Sequence, residues 1–252
     1  MTIEKYIPAG TPSGEAYEAI SDMMREVDVG KSYADMIRYR LSGAASDVCA
    51  DTYYVAIESK KSLSRLWMGW GKHPDAIGNW GNFYTNEKLR GRGIGKKMLG
   101  FWHEDMARRE DLPLCLLCSA GTKALADMYA AFGFVCAIEG KEFGPLYLPL
   151  GDSPAKFKDF YDAYYKPSDA LYLRSASVEY RHEIDCLLRF VYIDMGLDFG
   201  IGDMLSVESA LLYAPERCGM LFSEDGHAVG WSFDGKMQIH PLYKDAKIVL
   251  DQ

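Results

Sequence analysis

Between Asn82 and Leu99 the chain reads NFYTNEKLRGRGIGKKML, an aromatic stretch running into Arg90-Gly91-Arg92-Gly93-Ile94-Gly95 and then into an apolar-periodic segment. Glycines at 91, 93 and 95 admit backbone conformations closed to other residues and permit close approach, so successive N–H groups at a helix start can face an anion. Lys88, Arg90, Arg92, Lys96 and Lys97 fall within ten residues with no acid among them and add positive charge there. The patch is too small for a duplex-binding face, so no nucleic-acid partner is expected. A Walker loop is excluded because Gly95-Lys96 is followed by Lys97 instead of Ser or Thr, and Arg90 stands where its first glycine belongs. A dinucleotide fingerprint is excluded because Gly91-Arg-Gly93-Ile-Gly95 lacks the GxGxxG spacing and does not follow the first strand of a parallel βαβ unit.

Other reactive residue types carry weaker patterns. Cys115-Leu-Leu-Cys118 lies in an apolar run where residues three apart point to opposite faces, and no second pair follows at zinc-ribbon spacing. The six cysteines are too sparse for a disulfide scaffold and are expected to be reduced and buried. His182, His227 and His240 share no metal-like spacing, so no metal site is expected.

A strand must deliver the glycine loop and a helix must leave it. Thr2 to Pro8 reads as a strand, and Ser13 to Glu26 and Ser32 to Leu41 as helices, the first with Ser13 as cap and Tyr17, Ile20, Met23 and Met24 on one face. Thr52–Ile57, Leu63–Trp70 and Trp80–Thr85 are β-branched or aromatic and joined by short polar turns, the spacing of an antiparallel meander. Gly93–Met106 is helical, LPLCLLCSA is a buried strand, Thr122–Phe132 is a helix, and Phe134–Ile138 with Pro145–Leu150 are strands. The fold class is therefore α/β in the α+β sense: a mixed, mostly antiparallel sheet flanked by helices.

The motif Arg90-x-x-Gly93-x-Gly95, followed later by Ala126-Asp-Met-Tyr129-Ala-Ala-Phe132-Gly133-Phe134, resembles the two signatures of the GNAT superfamily of N-acetyltransferases. The resemblance covers residues 1–150 and implies a sheet whose fourth and fifth strands splay to admit acetyl-CoA. It further implies that backbone amides from Arg90 through Gly91, Arg92, Gly93, Ile94 and Gly95 to Lys96 hold the coenzyme A pyrophosphate. By the same resemblance, Phe83, Tyr84 and Thr85 are expected to pair through their main chain with the pantetheine arm, and Tyr129 to protonate the departing thiolate. The sequence departs from the family at Lys123, where relatives often carry asparagine; an exposed helix lysine is expected there. For the base that deprotonates the amine, His73, Asp75 and Glu87 are candidates.

Residues 151–252 form a second unit beyond Gly151-Asp-Ser-Pro154. After a helix at Ala155–Tyr165, a strand at Leu171–Arg174, helices at Val178–Met195 and Ser206–Tyr213, and strands at Arg217–Phe222, Ala228–Phe233 and Lys236–His240 repeat the opening order of residues 1–85, a GNAT-like half-repeat without a glycine loop. Residues 1–150 hold 18 Lys+Arg against 19 Asp+Glu and residues 151–252 hold 10 against 17, giving −1 and −7. The acidic half is expected to shape the acceptor end and to favour cationic amines. The function expected is acetyl transfer from acetyl-CoA to a primary amine of a small molecule or peptide, by direct attack in a ternary complex. The alternative is a catalytically silent acyl-CoA-binding sensor or assembly module. The apolar runs are shorter than a membrane span and the N-terminus lacks a signal-peptide core, so a cytoplasmic protein without a membrane partner is expected, with a homodimer as one option.

Overall fold

The structure is a computed structural model that describes residues 1–9, 14–25, 31–188 and 204–250. The first sheet comprises β1 (Thr2–Tyr6), β2 (Cys49–Glu58), β3 (Lys61–Gly71), β4 (Ile77–Thr85), β5 (Cys115–Ala120), β6 (Val135–Cys136) and β7 (Gly144–Pro149), in the order β1-β2-β3-β4-β5-β7-β6. All its pairings are antiparallel except β4 with β5. β2 and β3 turn on Ser59 and Lys60, both left-handed with φ of 50° and 62°, as a two-residue hairpin loop of the type I′ class requires.

Strand alternation sorts side chains to two faces. Tyr53, Val55 and Ile57 meet Ala16, Ala19 and Ile20 of α1 (Glu15–Arg25), and Leu41 of α2 (Lys31–Leu41) joins them. Tyr54 and Ala56 face the other way, onto Met98, Leu99 and Trp102 of α3 (Ile94–Met106) and Tyr129 of α4 (Lys123–Ala130). Cys115 and Cys118 fall into different core clusters, as their spacing predicts, and both are buried free thiols.

The second sheet follows α5 (Phe157–Tyr164). It contains β8 (Ala170–Ser175), β9 (Cys218–Phe222), β10 (Ala228–Phe233), β11 (Lys236–Ile239) and β12 (Lys247–Leu250), in the order β11-β10-β9-β8-β12. With α6 (Arg181–Cys186) and α7 (Met204–Tyr213), β8 to β11 repeat the element and neighbour order of β1 to β4. β12, parallel to β8, has no counterpart there and was not expected from the sequence. Its four residues show no alternation and Leu250 is largely exposed, so periodicity carries no signal.

The helix expected at Val178–Met195 opens with a 3-10 turn, Val178–Tyr180, whose Ser177 hydroxyl accepts from the Glu179 amide, and continues as α6. Residues 189–195 of that expectation, the cap at Ser13 and the side chain of Met24 lie outside the described residues. The largest core cluster joins the two sheets: Ile77, Leu117 and Tyr147 from the first pack with Phe160, Leu171, Ile184, Leu221 and Trp231 from the second half. Among the described residues, no helix is long and apolar enough to cross a membrane.

Candidate functional site

β4 and β5 pair through only three residue couples, Ile77–Cys115, Gly78–Leu116 and Asn79–Leu117, and then part. β4 stays attached to β3 as far as Ser64–Thr85, so its edge toward β5 is unpaired beyond Asn79. A bulge accompanies the parting. Between the couples Arg65–Tyr84 and Trp67–Gly81, β4 carries one residue more than β3, and Asn82 takes the left-handed conformation with φ of 50°. The extra residue places Trp80 and Phe83, three apart, on one face with ring centroids 5.8 Å apart.

Two depressions open along the splay. One, of about 340 Å³, is lined by Trp80, Gly81, Asn82, Leu117, Ser119 and Tyr129, with Asn79, Arg181 and Asp185 at its inner wall. The other, of about 640 Å³, is bounded by Phe83, Tyr84, Thr85, the loop from Leu89 to Lys96, and Met128. Phe83 and Leu125 border both, so they form one trough.

The glycine loop closes the outer end. Gly91 and Gly93 have φ of 78° and 76°, and Gly93 is the residue before α3. A Cβ on Gly95 would meet the Phe83 ring at 3.0 Å, so a larger residue there would have to displace that ring by a few tenths of an ångström for the first turn of α3 to stay against β4. Ile94 is buried and anchors that turn; the amides that open the helix have no partner within it and supply partial positive charge toward the trough. Arg90, Arg92, Lys96 and Lys97 are exposed. Arg90 is held by Thr85, whose carbonyl accepts from Nε at 3.3 Å, and by Glu87 at 3.4 Å.

Tyr129 lines the inner depression beside Phe83, which borders both. The Thr122 hydroxyl accepts from the Leu125 amide and starts α4, while Gly133, with φ of 95°, returns the chain so that Phe134 is buried. The Tyr129 ring meets Trp80 edge-on at 4.8 Å and Phe83 at 6.1 Å, and among the described residues no group hydrogen-bonds its hydroxyl. Burial, reinforced by nearby Cys118, raises its pKa, so the phenol keeps its proton at neutral pH. Lys123 is half exposed and pairs with Asp127 at 2.8 Å, as a surface lysine would.

The three base candidates lie elsewhere. Glu87 is exposed beside Arg90. Asp75 has φ of 56° and borders a separate depression near His227. His73 is 3.4 Å from Glu183; burial pushes its pKa down, but the hydrogen bond and charge of Glu183 outweigh this and raise it to about 9. A ring already protonated at neutral pH is a poor proton acceptor.

What the sequence did not reveal is the inner wall. Arg181, His182, Glu183 and Asp185 of α6 are all nearly fully buried. Asn79 Nδ2 donates to Asp185 at 3.0 Å, the Ile77 amide donates to Glu183 at 2.9 Å, and His182 lies 2.6 Å from Asn79 and 2.8 Å from Arg40. Arg40 in turn pairs with Asp51 at 2.8 Å, and burial notwithstanding, Asp51 holds the guanidinium charged. The available signal was four polar residues within the six of RHEIDC, followed at once by apolar sequence.

A family model described as an acetyltransferase (GNAT) domain matches residues 50–136. No curated protein matches the chain. Among solved structures, the chain is similar to the NatC complex bound to Gag peptide and CoA, at 20% identity over 60% of this chain and 100% of that one, with a TM-score of 0.42. Escherichia coli ElaA gives 17% identity over 58% and 97%, with a TM-score of 0.42. An acyl-CoA N-acyltransferase from Pseudomonas aeruginosa gives 17% over 59% and 99%, also with 0.42.

Proposed function

We propose that this chain, whose residues 50–136 match the model of a GNAT acetyltransferase domain, transfers an acetyl group from acetyl-CoA to a primary amine by direct attack in a ternary complex. One observation carries the reading: the splay of β4 and β5 opens into a single trough that runs from the helix start at Gly93–Lys96 to Tyr129. The outer end suits a pyrophosphate. Its glycine conformations, free amides and surrounding cations present positive potential with little side-chain bulk. Backbone amides from Arg90 to Lys96 hold the diphosphate, and the unpaired edge of β4 at Phe83, Tyr84 and Thr85 takes the pantetheine arm as a further strand.

Acetyl-CoA supplies an acyl carbon activated as a thioester. The neutral amine attacks that carbon, a C–N bond forms and the C–S bond breaks, with the electron pair leaving on sulfur. Tyr129 gives its proton to the sulfur and recovers one from the nitrogen, so the net products are amide, thiol and the proton first released when the ammonium became an amine. A β4 amide polarises the carbonyl oxygen. Residues 1–150 act as the donor half and residues 151–252 close the acceptor side.

The test is a thermal-midpoint titration of the full chain with acetyl-CoA, CoA and NADH, followed by thiol release with an amine panel. The expected result is a concentration-dependent rise with the two coenzyme A species, none with NADH, and thiol release that requires an amine. No rise at millimolar acetyl-CoA overturns the proposal.

A further inference from the structure

α6 puts four ionisable side chains into six residues and buries them all. Desolvating charge is unfavourable even when the charges are paired, and apolar side chains would join two halves at lower cost. The four divide by direction. His182 and Glu183 point into the seam, the first to Arg40 and Asn79, the second to the Ile77 amide and His73. Arg181 and Asp185 are four apart, share one side of the helix, and line the cavity at the head of the trough. Asn79 connects them: its Nδ2 donates to Asp185 at 3.0 Å, and its Oδ1 accepts from Arg181 at 3.4 Å. A positive and a negative side chain thus face one small cavity from one rigid element.

We infer that Arg181 and Asp185 recognise a small zwitterionic acceptor of the α-amino acid class, Asp185 pairing with its ammonium and Arg181 with its carboxylate. The inference rests on the transfer reading above and names the acceptor of that same site. The planar guanidinium is suited to two parallel hydrogen bonds with a carboxylate. The paired signs also discriminate. A polyamine satisfies Asp185 but brings further positive charge toward Arg181, and a peptide N-terminus lacks the adjacent carboxylate. A cavity of about 340 Å³ that also receives the thioester end leaves room for a compact acceptor.

The experiment uses the full chain with saturating acetyl-CoA. Thiol release is measured with each of the twenty proteinogenic α-amino acids, with their carboxamides and with the corresponding decarboxylated amines. The result expected is at least one amino acid whose kcat/KM exceeds those of its carboxamide and its amine by tenfold or more. In Arg181→Gln that preference for the carboxylate shrinks to within about threefold, while the coenzyme A thermal shift is retained. Equal or better turnover of amides and amines overturns the inference, as does thiol release from none of the three sets. In either case a persisting rise of the midpoint with acetyl-CoA leaves the donor site standing, whereas its loss overturns the transfer reading itself. Because the wild-type panel alone decides, a variant that fails to fold does not blunt the test.

Discussion

Removing the hydroxyl from Tyr129 separates proton donation from packing, because the ring is fixed by Trp80 and Phe83 and no described group bonds the oxygen. Tyr129→Phe is expected to lower kcat by roughly 10²-fold, the lower end of general-acid contributions, with the acetyl-CoA midpoint shift unchanged. Unchanged kcat would remove the assigned acid. Gly93 has φ of 76° with open space around its missing side chain, so Gly93→Ala meets only backbone strain. It should lose about 1–2 kcal/mol in urea unfolding. At this scale the glycine turn before α3 and the helix end around Tyr129 were legible in the sequence, since glycines at 91, 93 and 95 and the Tyr129 to Phe134 run are local patterns. The inner wall was not, because Asp185 and Asn79 are 106 residues apart and nothing local joins them.

Elements decide whether those side chains meet. The three-couple contact of β4 with β5 and the bulge at Asn82 create the opening, and the sequence marked the two strands without marking the extra residue. An asparagine flanked by Gly81 and Phe83 carries no periodicity break long enough to read. The meander, its hairpin turns and α3 were legible because alternation and the 3.6-residue period are strong there. β12 was not, because a short exposed strand breaks those rules. α2, β2 and α6 are tied by the chain Asp51–Arg40–His182. Trp67 also donates to Asp51, at 2.7 Å. Arg40→Met leaves that carboxylate buried without its cation, and about 3–5 kcal/mol of stability should be lost in urea unfolding. A loss below 1 kcal/mol would mean the pair is dispensable.

The whole molecule sums these buried titrations into a pH profile. His73 is raised to about 9, so the folded state keeps a proton that the unfolded imidazole releases near 6.5. That contribution is complete below pH 6.5 and is lost as pH rises through about 9. His240 is held by burial at about 4, and burial with the charges of Arg40, Arg181 and His73 lowers His182 too. For these, stability is complete above pH 6.5 and falls with acid as the unfolded rings take up protons first. The urea midpoint should therefore be greatest near pH 6.5 and decline on both sides, and His73→Gln should flatten the alkaline arm alone. A midpoint that keeps rising from pH 6.5 to 9 in the wild type would contradict this. The cluster that carries Ile77 and Tyr147 against Leu171 and Trp231 has a further consequence. Neither sheet can shed its interior without baring the other's, so the two halves melt as one cooperative unit. Trp102 in the first half and Trp231 in the second then report the same transition, and a ligand seated in one half tightens the amide protection of both.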